Sequence, residues 1–356
     1  MKNPFLKDEY LLPEISLNKM PLVNIPNIIE INEIENKTAY EIFSAEQIIN
    51  EIKIYADDLK INLLEIEERD LPIQLNCCLE SNDEKVKKTS EIIAEKFGRR
   101  LGIILYVLKR GKINHKFERN DWDEERFKYW ENLENVVLTG GLSTGLLGEI
   151  FKNNIYKIFK ELNLNPYNIH LSKNSQNLGL SGVSMYIKEN SKANLVFDFG
   201  QSFIKRGVAH FNKDFLEKIT HLEKKRSKYL QSNFDEVQLD KYFQKVIIDS
   251  YIESKEKNLD IGNEIAISIA NYIIDKNFFH RGGYSKLGKM SNDYEKYLSE
   301  EIYKKTHKEF NFKLVHDGTA IAANFKNLNN SVSISLGTGF GIGFPNTSVC
   351  NKKVGQ

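Results

Sequence analysis

Cysteine is nearly missing from this 356-residue chain: Cys77, Cys78 and Cys350 are the whole complement. Three thiols cannot build a disulfide framework and none has the repeated spacing of a zinc knuckle, so no structural zinc and a reducing, cytoplasmic setting are expected. Net charge is missing too. Fifty Lys and Arg stand against 49 Asp and Glu, a formal charge of +1, which gives no basic surface for nucleic acid. No apolar run reaches the roughly 18 residues of a membrane span, and the opening MKNPFLKDEYLLPE lacks the apolar stretch of a signal peptide. These absences leave a small molecule as the expected partner and allow a homodimer.

The chain is long enough for two cores of roughly 150 to 200 residues each. Pro4, Pro13, Pro21 and Pro26 make an irregular lead, after which the alternation through Ile28 to Glu33 predicts a strand. Ile48, Ile49 and Ile52 predict a helix capped by Ser44, and Ile92, Ile93, Phe97, Leu101, Ile104, Leu105 and Leu108 predict one over Lys85 to Lys109, where Gly102 permits close packing. Cys77 and Cys78 read as buried small hydrophobes, Trp122 and Trp130 as packing groups. The apolar stretch Val136 to Leu138 runs into Thr139-Gly140-Gly141-Leu142-Ser143-Thr144-Gly145 and then a helix, which is strand, tight loop, helix. Polar residues 188–193 suggest a boundary.

Three constellations in the second half carry chemistry. Asp198-Phe199-Gly200-Gln201-Ser202 puts a carboxylate at a strand end beside a residue with no side chain, as a Mg²⁺-phosphate site needs, although an ordinary hairpin also accounts for such a turn. Gly337-Thr338-Gly339-Phe340-Gly341-Ile342-Gly343 weakens a strand unless something approaches closely: a phosphate, or another backbone. In His316-Asp317-Gly318-Thr319, Asp317 either caps a helix or accepts the proton of a hydroxyl that attacks a phosphoryl group. The loop holding His280, Gly282 and Gly283 supplies, with His316, candidate substrate contacts.

With these segments placed, the chain resembles the sugar kinases of the superfamily of hexokinase, actin and the chaperone ATPases, and among them the glucokinase-like ROK group. The resemblance assigns the first phosphate motif to Asp198, Gly200, Gln201, Ser202 and Lys205, with Asp198 holding Mg²⁺ directly or through water. It assigns the catalytic base to Asp317 within HDGTAIAANF, the second phosphate motif to Gly337, Thr338 and Gly339, and the adenosine motif to Gly140 and Gly141 within VVLTGGLSTG. It implies an α/β fold of two actin-like, ribonuclease H-like lobes around an ATP cleft. The order differs from the family, because here the adenosine segment comes first. A circular permutation accounts for that, with residues 1–190 as the adenosine-side lobe, completed by 331–356, and residues 191–330 as the lobe of the first phosphate motif and Asp317. The implied activity is Mg-ATP-dependent phosphorylation of a sugar or polyol. A noncatalytic ATP-binding regulator or an actin-like structural protein is the alternative, since Gln201 and Ser202 stand where the family commonly has glycine and threonine, and its zinc motif and histidine-bearing sugar motif are absent.

Overall fold

The computed structural model describes residues 2–23, 25–26, 31–111, 119–172, 177–188, 192–213, 215–228, 234–345 and 353–354. It is mixed α/β with several sheets. The chain divides into two compact units, the first Met1–Phe5, Glu14–Gln176 and Leu328–Ile342, the second Leu6–Pro13, Asn177–Asn327 and Gly343–Gln356.

Along the chain the principal helices are α1 (Ala45–Ile54), α2 (Leu71–Leu79), α3 (Glu84–Arg110), α4 (Glu124–Asn132), α5 (Gly145–Glu161), α6 (Leu178–Ser184), α7 (Glu236–Glu256), α8 (Tyr294–Thr306) and α9 (Asp317–Ala323). The principal strands are β1 (Asn135–Thr139), β2 (Asn168–Leu171), β3 (Ala193–Phe199), β4 (Phe203–Asn212), β5 (Phe215–Arg226), β6 (Ile261–Ile269), β7 (Asn311–His316), β8 (Ser331–Leu336), β9 (Phe340–Gly343) and β10 (Lys353–Val354).

In the first unit the sheet order is β9-β8-β1-β2. β8 runs parallel to β1 and β1 parallel to β2, so Val332 lies level with Val136 and Ile169. All of β1 is buried, which explains its continuous apolar run. α3 starts at Asp83, whose carboxylate accepts from the N–H groups of Lys85 and Val86, and stops at Gly111 in the left-handed region. A β-carbon on Gly98 would lie 2.9 Å from that of Asn154, and one on Gly102 would lie 3.0 Å from that of Ile158, so these glycines let α3 cross closely over α5. Trp122 and Trp130 stack at 6.4 Å inside the core.

The second unit is built on one sheet of order β7-β6-β3-β4-β5-β10. β3, β4 and β5 form an antiparallel meander, while β3, β6 and β7 run parallel. Phe197, Phe199, Ile265, Ile267 and Leu314 face a core shared with Phe243 of α7 and Leu298 of α8. Residues 265–269 are buried on both faces, where their isoleucine alternation alone predicts one.

Two local expectations are corrected. Ile31–Ile34 is a helical turn rather than strand, and residues 28–30 lie outside the described residues, so β8 takes β1 as its inner neighbour. Cys78 is buried but Cys77 is exposed, because adjacent positions on α2 point to different faces. Among the described residues no helix is long and apolar enough to cross a membrane.

Candidate active site

Parallel register in the second unit brings chemistry to one edge. Ile269 lies level with both Phe199 and His316, so β3, β6 and β7 end together, and the segments leaving them share one rim of the sheet. Asp198, next to last in β3, pairs with Lys205 on β4 and Ser268 on β6. Both neighbours donate to it: Lys205 Nζ to Oδ2 at 3.2 Å and Ser268 Oγ to Oδ1 at 3.0 Å. The carboxylate is therefore fixed in direction by its cross-strand partners.

The turn after Asp198 is held from outside. Gly200 N–H donates to Phe203 O at 3.1 Å, and Tyr284, whose hydroxyl also meets Ser227 Oγ at 2.9 Å, donates to Gly200 O at 3.1 Å. Gln201 and Ser202 are exposed at the tip. Such a turn can present backbone N–H groups and a hydroxyl to an anion, with Lys205 beside it.

At the end of β7, His316 rather than Asp317 is the N-cap of α9. Its Nδ1 accepts from Thr319 N–H at 3.4 Å, which assigns the ring proton to Nε2, 3.1 Å from Asp317 Oδ1. The ring is buried and stacks on Tyr272 at 4.4 Å, nearly parallel to it, and burial pushes its pKa down to about 3. It is a neutral donor that orients its neighbour. Asp317 Oδ1 also accepts from Gly318 N–H at 2.7 Å. Burial above all, then the charge of Asp198, pushes the Asp317 carboxyl up from 3.8 to about 7, against the lowering effect of backbone hydrogen bonds. The side chain keeps 35% exposure, so protein surrounds the group while solvent still reaches it. A carboxyl so placed can take a proton near neutral pH.

Of the other candidates in this unit, His280 is exposed with its ring 4.2 Å from that of Phe279, and Gly283 opens a 3₁₀ turn through Lys289. Gly282, exposed at φ +102°, presents its bare side to Asn271. Asn271 itself is 5% exposed, and neither its Oδ1 nor its Nδ2 has a hydrogen-bond partner among the described residues. That costs on the order of 1–3 kcal/mol.

In the first unit the Gly337–Gly339 turn joins β8 to β9. Gly337 O accepts from the N–H of Ala45 at the start of α1, and Asn18 Oδ1 accepts from Phe340 N–H at 2.9 Å. Thr338 borders an open groove of about 780 Å³ with Tyr40, Ile49 and Asn50. Among the described residues Glu46, Glu67 and Glu68 also line it against the single cation Arg69, so the groove suits the neutral part of a ligand better than its phosphates. Gly140, at φ +89°, sits where a β-carbon would meet Leu336 O at 2.4 Å, whereas one on Gly141 or Gly337 would meet nothing within 4 Å among the described residues. Gly140 is thus explained by packing, and Gly141 and Gly337 are not.

Among the described residues no group of three or more His, Cys, Asp or Glu side chains is placed to hold a metal. A single carboxylate with water suits Mg²⁺ brought by a polyphosphate, and Asp198 beside the Asp317 carboxyl fits that need. Ser268, Tyr284 and Asn271 escaped the sequence reading. An isolated Ser, Tyr or Asn carries no local signal, and only parallel register and the loop's return bring these three to the rim. No protein-family model and no curated protein matches the chain.

Proposed function

We propose that the chain is a carbohydrate kinase that transfers the γ-phosphoryl group of ATP to a hydroxyl of a sugar or polyol. The observation that carries this reading is the pair Asp198 and Asp317 on one sheet rim, the first fixed by two donors and the second held near neutrality. Asp317 accepts the hydroxyl proton as its oxygen bonds to the γ-phosphorus, the bond to the bridging oxygen breaks and ADP leaves. In this reading Gly200, Gln201, Ser202 and Lys205 form the first phosphate motif, Gly337, Thr338 and Gly339 the second, and Gly140 and Gly141 the adenosine motif. Mg²⁺, held through Asp198, would supply charge neutralisation on the phosphates.

The second unit's antiparallel meander followed by two parallel strands supports a ribonuclease H-like reading. The actin-like lobes, permuted order, ROK kinship and cytoplasmic setting belong to the same proposal. The test is a phosphate-transfer screen with Mg-ATP and a sugar and polyol panel, comparing the wild type with Asp317→Asn.

A second reading, a noncatalytic ATP-binding regulator, is favoured by one contact. Lys205 already occupies Oδ2 of Asp198, where a cation would compete with it. ATP binding without transfer to any acceptor would select this reading.

A further inference from the structure

The buried amide of Asn271 is the feature that packing does not explain. Its neighbours along the chain are pinned: Ala270 N–H donates to Phe199 O at 3.0 Å, and Tyr272 stacks on His316, whose Nε2 faces Asp317. Asn271 therefore leaves the rim between the Asp198 turn and the Asp317 helix. Its Oδ1 and Nδ2 have no partner among the described residues, so it offers an unused acceptor beside unused donors.

A β-carbon on Gly282 would lie 3.5 Å from Nδ2 and 3.8 Å from Oδ1, so the bare side of this exposed glycine is turned toward the amide. A phosphate could use only the donors and would leave Oδ1 unpaired. A pair of adjacent hydroxyls, one donating and one accepting, satisfies both ends of the fork.

We infer that Asn271 binds the acceptor substrate through two adjacent hydroxyls, with the Gly282 segment shifting to admit them. This rests on the carbohydrate-kinase reading for its substrate class, and its test is separate from turnover. Binding of D-glucose, D-mannose, N-acetyl-D-glucosamine, glycerol, xylitol and myo-inositol to the full chain is measured by calorimetry without nucleotide, for the wild type and Asn271→Ala. At least one compound is expected to bind the wild type, with affinity at least tenfold weaker for Asn271→Ala. Because an unpaired buried amide is a liability to the free protein, Asn271→Ala should melt at the same temperature as the wild type or higher.

Binding that survives Asn271→Ala overturns the inference, as does the failure of every compound to bind the wild type. A lower melting temperature for Asn271→Ala overturns it as well, since the amide would then be a structural group paired with water. Binding that depends on Asn271 without any phosphate transfer would uphold the inference while removing the kinase reading.

Discussion

Gly179 of α6 lies so close to Asp198 that a β-carbon on it would come within 2.4 Å of the Oδ2 atom. The carboxylate cannot easily step aside, because Lys205 and Ser268 hold its two oxygens. Gly179→Ala should therefore cost about 1–3 kcal/mol of stability by overpacking and turn the carboxylate away from its present direction. Denaturant titration and Mg²⁺-dependent nucleotide binding measure the two effects. A variant unchanged in both would show that Asp198 is free to move.

Asp317 and His316 pull the pH dependence of stability in opposite directions. Asp317 titrates at about 7 in the folded chain against an ordinary 3.8, so between those values the folded state holds the extra proton and stability falls as pH rises. His316 titrates at about 3 against 6.5, so in that window the unfolded chain holds the extra proton and stability rises with pH. The two offset each other where they overlap. Asp317→Asn removes the falling limb, and it should match the wild type near pH 4 and melt higher near pH 8. Equal differences at both pH values would contradict the raised carboxyl.

The glycines of the first unit separate packing from ligand approach. Gly337→Ala and Gly141→Ala add a methyl group where none of the described residues lies within 4 Å, and neither glycine has a positive φ, so melting should move by no more than about 1 °C. If phosphate or adenosine approaches there, nucleotide affinity should fall roughly tenfold. Gly339 makes a poorer test, because its β-carbon would meet Asn18 Oδ1 at 2.7 Å and disturb the turn itself. Calorimetry with Mg-ATP distinguishes these cases, and full affinity in both alanine variants would remove the two turns from the site.

Much of the fold was legible because its signals are local. The α3 periodicity, the strand-loop-helix at Gly140 and the β8–β9 turn all follow from residues within a few positions of one another. The strand expected near Ile28 failed at Ile31–Ile34, where a short alternation carries little weight against what the neighbouring chain makes of it. At the site, Asp198 and Asp317 were visible as strand-end carboxylates. What tunes them was not: Ser268 is 70 positions from Asp198, and Tyr272 is 44 from His316, so only the folded sheet brings these pairs together.

Phosphate transfer from Mg-ATP to the sugar and polyol panel, followed as acceptor-dependent ADP release across pH 5 to 9, tests the central claim most directly. The account predicts transfer by the wild type that rises with pH through about 7, the value at which the Asp317 carboxyl loses its proton. It further predicts a loss of about 10² to 10⁴ in turnover for Asp317→Asn with nucleotide binding retained. Transfer that persists in Asp317→Asn at the wild-type rate, or ATP binding with no acceptor phosphorylated by the wild type, would contradict it.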